Sequence, residues 1–156
     1  MTIFATAGAK LYIGGVIDVT DELAEDDFTS QTWKEIKETE ALGSVGDAAE
    51  PVTFDAINRQ RRKKLKGVRD AGTMEVVCGI DYDDEGQQAA LAAEKTQDNY
   101  AFKVVFNDAT GGGTGSERKF GAIVGSAAEA LDTASSVMKL NLSLWVNSNV
   151  VRKNAS

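Results

Sequence analysis

Hydrophobic and polar residues alternate most regularly towards the C-terminus, where Met138, Leu140, Leu142, Leu144 and Val146 interleave with Lys139, Asn141, Ser143 and Asn147, Trp145 being the exception. A period of two marks a strand with one apolar and one wet face, and it predicts a strand over 137–147. The same pattern puts Tyr100, Phe102, Val104 and Phe106 on one face of a strand over 100–107. It also aligns Phe120, Ala122 and Val124 within a strand over 117–126. Residues 73–80 are rich in β-formers and free of proline, so they read as a further strand. Residues 10–13 open another, with a kink at Gly14-Gly15 and a continuation to Val19. Residues 32–42 are ambiguous, because Trp33, Ile36 and Leu42 could share a helix face, but Trp33 and Thr39 favour a strand. Loops are expected over 20–30, 108–116 and 127–135.

One segment breaks the β grammar. Asp84 followed three residues later by Gln87 is a capping-box-like start, in which Asp84 accepts from unpaired backbone donors and Gln87 reaches back. Strong helix formers then run to Lys95, where a cation suits the negative end of the helix. One short α-helix over about 84–95 among strands predicts a mainly β (α+β) fold, a curved β-sandwich or half-barrel. At 156 residues the chain is expected to form a single domain, 1–156, that buries roughly 68–70% of its unfolded surface. Long strands with one wet face leave exposed edges. The 137–147 strand is poor in blunting devices, so copies are expected to pair along it. A large barrel with a polar interior would use its Lys139–Asn147 face.

The interval 43–72 reads as a long, partly extended excursion. It has a loop over 43–50, a β-like run over 52–57 after the one proline, Pro51, and the basic residues Arg59, Arg61, Arg62, Lys63, Lys64 and Lys66. Excursions of that length are usually functional. Three readings of the basic run stay open: a nucleic-acid contact, a solvated face, or a contact with an acidic stretch of a neighbouring copy such as 21–27.

Composition narrows the chemistry. A formal charge of −7 argues against a DNA-gripping surface, which needs Lys and Arg at the phosphates. The chain has no histidine, which removes Ser-His-Asp and Cys-His catalysis and histidine metal ligation. Residues 81–86 begin like an EF-hand loop, yet Ala92 stands where a bidentate Glu is required, so a capped helix start is the better reading. The glycine-rich tract before Ser116 lacks the lysine of a P-loop and the third glycine of a dinucleotide fingerprint, and reads as a flexible hairpin tip. The adjacent carboxylates of Glu25 and Asp26 have no evident pocket. The lone Cys78 fits a small core residue in a chain that folds in a reducing cytoplasm. No signal-like start and no apolar run of about 18–20 residues is present, so a soluble protein is expected.

The order of these features resembles the major tail tube proteins of long-tailed (siphovirus-type) bacteriophages and of gene transfer agents. The resemblance covers most of the chain and rests on that order rather than on any catalytic motif. Its parts are the Trp33–Ile36 strand, the excursion through Arg59–Lys66, GTMEVVCGID, the helix start Asp84, Gly86 and Gln87 within DDEGQQAAL, NYAFKVVFND, FGAIVGSAAEALD and VMKLNLSLWV. Contractile-tail and type VI secretion tubes share the architecture. The resemblance implies a structural virion protein without a cofactor, forming hexameric rings stacked into a tube that conducts the genome into the host. Its implied partners are other copies, a tail tip or initiator, the tape measure and a terminator, with DNA passing unbound and no membrane insertion. Its implied location is the virion tail, with the host cytoplasm before assembly.

On that basis the loop over 43–72 is expected to reach neighbouring subunits. An acidic lumen wall would repel the phosphates, and strand alternation makes Glu75 and Asp81 its expected acids. Arg61, Arg62 and Lys64 are expected at subunit contacts, with Asp26 and Asp27 as complementary acids. The alternatives are a monomeric β-rich binding module, a decoration or tail-completion protein, and a carboxylate-based hydrolase using Asp81, Asp83 or Asp84.

Overall fold

The computed structural model describes residues 3–109 and 111–155. Its strands are β1 (Lys10–Val16), β2 (Lys34–Ile36), β3 (Thr39–Ala41), β4 (Ala48–Phe54), β5 (Lys63–Asp70), β6 (Thr73–Gly79), β7 (Tyr100–Val105), β8 (Glu117–Ala130), β9 (Lys139–Val146) and β10 (Val151–Lys153). One α-helix, α1 (Glu85–Glu94), follows β6. The fold is mainly β with one flanking helix. The main sheet is antiparallel in the order β2-β1-β7-β8-β9-β6-β3, with β10 on β8, while β4 and β5 form a separate hairpin.

β8 is the pivot of the main sheet. Its first half pairs with β7 and β10, and its second half with β9. A register shift between Val124 and Ser126 bends it between the two layers. Gly125 sits there because a Cβ would lie 2.1 Å from the Trp145 ring. At the opposite side the two ends of the sheet path, β2 and β3, are joined by a corner in which Glu38 takes a φ of 60°. The sheet therefore curls into a half-barrel around one core. Leu11, Ile13, Met74, Val76, Phe102, Phe120, Leu140, Leu142 and Leu144 fill it, with Ala90 and Ala93 from α1.

A knot of hydrogen bonds holds the corner and the helix together. Asp84 accepts from the Gln87 backbone N–H at 3.1 Å and from the Lys37 N–H at 3.0 Å, both on Oδ2. The Gln87 amide donates to the carbonyls of Gly79 and Lys37 at 2.8 and 3.0 Å, and its oxygen accepts from the Asp81 N–H at 3.0 Å. Gln87 is 1% exposed, so its amide depends on these partners rather than on water. Gly86 lets the helix press on β2, since a Cβ there would lie 2.1 Å from the Glu35 carbonyl oxygen.

Several expectations need correction. Gln87 does not reach back to the Asp84 backbone but spans two strands' ends, donating to the part-buried carbonyls of Gly79 and Lys37. Residues 127–130 are not loop: they pair with β9 and extend β8, tertiary pairing overriding the weak β-preference of alanine. β9 begins at Lys139, leaving Met138 half exposed. β9 is not an edge either, since β6 and β8 satisfy both of its sides. The β-like run expected over 52–57 is β4, which already begins at Ala48, and the basic run enters its partner β5, so the excursion is a hairpin rather than a long loop; β10 had no readable signal in three residues. The 32–42 strand splits at the corner into β2 and β3. The helix and the buried Cys78 stand as expected, and burial pushes the Cys78 thiol up to about 11.

Replacing Gln87 with leucine keeps the volume but leaves the Gly79 and Lys37 carbonyls and the Asp81 N–H, all part-buried, without this partner, at about 1 kcal/mol each. Gln87→Leu is expected to lower unfolding free energy by about 2–4 kcal/mol in urea titrations. A loss under about 1 kcal/mol would show that the knot is not structural.

Candidate assembly surfaces

Three features distinguish the surface from that of a self-contained domain. The first is the β4–β5 hairpin. Every residue of β4 is exposed, and all of β5 but Gly67. Val52 pairs with Leu65, and Phe54 with Lys63, so Val52, Phe54 and Leu65 form one apolar stripe. They are 52%, 65% and 66% exposed, and Ile57 at the tip is fully exposed. The opposite face carries Thr53, Lys64 and Lys66 by alternation. Within the arm Arg62 grips Asp55 with two hydrogen bonds of 2.9 and 3.1 Å. Among the described residues Arg61 and Lys64 have no carboxylate within ion-pair distance. Asp26 and Asp27 lie in a one-turn 3-10 helix, Glu25–Phe28, and among the described residues neither pairs with a basic residue of the arm. There Asp27 accepts from the Ala24 N–H at 2.8 Å, and the Asp26 carbonyl accepts from Thr29.

The second feature is the open face of the layer formed by β3, β6, β9 and the second half of β8. Its inner side is core, while its outer side presents Glu75, Asn141, Ser143 and Trp145 to solvent, together with an ion pair of Lys139 and Glu40 at 2.8 Å. Glu75 lies mid-strand and accepts from Ser143 at 2.9 Å. Asp81 does not share this face. β6 ends at Gly79, and Asp81 turns into the corner, where its carboxylate accepts from the Asp83 N–H at 3.0 Å. Strand alternation extrapolated two residues too far could not see this. Asp84, the third acid of the hydrolase reading, is 6% exposed and committed to the knot.

The third feature is the covered face of the other layer. The segment 17–33 lies across β1, β7 and β8, burying Phe28, which stacks on Trp33 with ring centres 6.4 Å apart. Lys119 reaches the Glu25 carboxylate from beneath it. Glu117 sits among three lysines, Lys119 and Lys153 at 3.7 Å and Lys103 at 3.9 Å. Lys103 lies over the rings of Tyr12 and Trp33 at 4.7 and 4.9 Å, and burial lowers its ammonium's pKa. Sequence reasoning missed this cluster because its members come from five separate segments, β1, 17–33, β7, β8 and β10. Nearby, the glycine-rich tip, of which Thr110 lies outside the described residues, is pinned at its base. The Asp108 carboxylate accepts from Ser116 N–H and Oγ at 2.7 and 2.6 Å, which holds its pKa below the usual range.

No helix among the described residues is long and apolar enough to cross a membrane. The described residues hold no group of three or more acidic or cysteine side chains arranged for a metal. The arm's exposure makes its tip the expected first site of trypsin cleavage in the free chain, within 59–66 and before any other Lys or Arg. Mass spectrometry of timed digests checks this, and a first cut within the barrel would contradict it.

No protein-family model matches the chain by sequence, and no curated protein does. Solved structures do match its fold. An anti-feeding prophage baseplate chain superposes with a TM-score of 0.70 at 9% identity, over 99% of this chain and 98% of that one. A chain from the sheath/tube terminator of an extracellular contractile injection system gives 0.69 at 9%, over 98% of both. The SPP1 tail tube protein gives 0.60 at 17%, over 93% of this chain and 77% of that one. At these identities the likeness is one of fold, and it spans nearly the whole chain: this is a tail-tube-type β fold.

Proposed function

We propose that the chain is a structural virion protein that assembles with copies of itself into stacked hexameric rings, forming a tail tube. The observation that carries this is the tail-tube-type fold over nearly the entire length. The surface supports it. A free chain has little use for a hairpin with apolar residues half to two-thirds exposed, whereas a subunit buries them in assembly. The open polar face suits a lumen wall, since acids there repel a polyanion and leave it nothing to grip. Within that reading each chain is one tube domain, with 43–72 as its inter-subunit arm. The partners are an initiator, a tape measure and a terminator. The assembled protein resides in the virion tail after a period in the host cytoplasm. Genomic DNA passes without specific binding.

Negative-stain microscopy of the concentrated protein, with and without tail-tip complexes, is the direct test. Hollow tubes or stacked six-fold rings of uniform width are expected. A strictly monomeric sample under both conditions would point to a β-rich binding module or a decoration protein instead. Glu75→Lys is expected to leave tubes intact and to slow or abort genome ejection in an infectivity assay, and unchanged infectivity would remove Glu75 from the lumen wall. Asp81→Lys, which lies in the corner and off the open face, is the control and is expected to leave infectivity unchanged, whereas ejection slowed as by Glu75→Lys would place Asp81 on the lumen wall. Reversing Arg61, Arg62 and Lys64 to glutamate is expected to give folded protein that fails to polymerise, and normal tubes would make the run a solvated face.

A further inference from the structure

The arm's apolar stripe has no cover in its own chain. β4 and β5 pack on each other and hardly touch the barrel. A two-stranded hairpin standing alone is marginal in water, and this one exposes Val52, Phe54 and Leu65 as well. At the arm's root lies a matching cavity. A cleft of about 400 Å³ opens at the end of the barrel, walled mainly by Phe4, Leu42, Val45, Met74, Val104 and Phe106, with Asp108 at its rim. Leu42 and Val45 lead directly into β4, so the cleft sits at the base of the arm and the stripe towards its far end. Val52 lies seven positions beyond Val45, about 20 Å of extended chain.

Charge is divided in the same way. Residues 48–70 carry seven Lys and Arg against three Asp and Glu, while the rest of the chain carries ten against twenty-one. A basic arm and an acidic barrel attract across copies, which steers encounter and favours arm against body over arm against arm.

We propose that the stripe of Val52, Phe54 and Leu65 docks into the root cleft of a second copy of this chain. Stripe and cleft are different patches, and the proposed contact is heterologous: each copy gives its arm to one neighbour and receives an arm from another. A heterologous contact that does not close propagates, and here it would advance along the arm's direction. The proposal rests on the self-assembly of the proposed function and names the receptor for the arm.

The test uses two full-length variants, each changed only at exposed residues. The arm variant carries Phe54→Asp and Leu65→Asp, and the cleft variant carries Phe4→Asp and Ser44→Asp, Ser44 lining the cleft beside Val45. Circular dichroism checks that both fold. Each alone is expected to stop at one unit, a monomer or a single ring, with propagation weakened by roughly ten- to a hundredfold for each buried apolar side chain lost. Mixed one to one, an intact arm meets an intact cleft once, so mass photometry is expected to show that unit doubling and then stopping. A mixture no heavier than its components, or either variant propagating like the parent chain, overturns the proposal. The two readings fail separately. Hollow tubes from the parent chain without doubling in the mixture would reject the arm–cleft contact alone. Doubling without tubes or six-fold rings would reject the tail tube alone.

Discussion

The half-barrel depends on one buried side chain. Gln87 is almost wholly inaccessible, yet every polar atom of its amide is paired, and its partners lie on two different parts of the sheet. Asp84 adds the Lys37 N–H, so the β2–β3 corner, the end of β6 and the start of α1 are held at one point. Such a junction is costly when incomplete, since a buried polar group left unpaired loses its full hydration. Complete, it selects one geometry for closing the sheet. Gly86 supplies the remaining condition by letting helix and strand backbones touch.

The two layers meet at β8 but have opposite surroundings. Where β8 pairs with β7 and β10, both faces are covered, one by the core and one by segment 17–33. Gly121 allows that segment to lie close, as a Cβ would fall 2.5 Å from Val19. The Glu117 cluster then ties β7, β8 and β10 together, and Lys119 links the same strands to Glu25. Past the bend at Gly125, only the inner face is covered. Rigid where it is double-sided and wet where it is single-sided, the sheet can present an open wall without losing its shape.

The arm follows a different logic. Its strands satisfy each other's backbone groups, but its side chains find no burial within the chain, so its order draws little from the barrel. Exposed apolar area of this kind is retained where another surface will cover it. The basic composition of the arm in an acidic protein limits unguided pairing, because two arms repel while arm and barrel attract.

Local chemistry was legible along the chain. Alternation in Leu140, Leu142 and Leu144 determined a strand and its inner face, and the Asp84 start with its alanines determined the helix, because each depends on near neighbours and a fixed period. The same pattern carried the excess of base in 59–66. Neighbours distant in sequence were decided only by the tertiary structure. Alanines 127–130 are strand because β9 lies beside them, Asp81 leaves the open face because the corner takes its N–H, and β9 is internal because β6 and β8 flank it. Glu25, Trp33, Lys103 and Glu117 look unrelated on paper and meet only when segment 17–33 crosses the sheet. Periodicity reports which way a side chain points; what waits there is set by segments as far as 126 residues away.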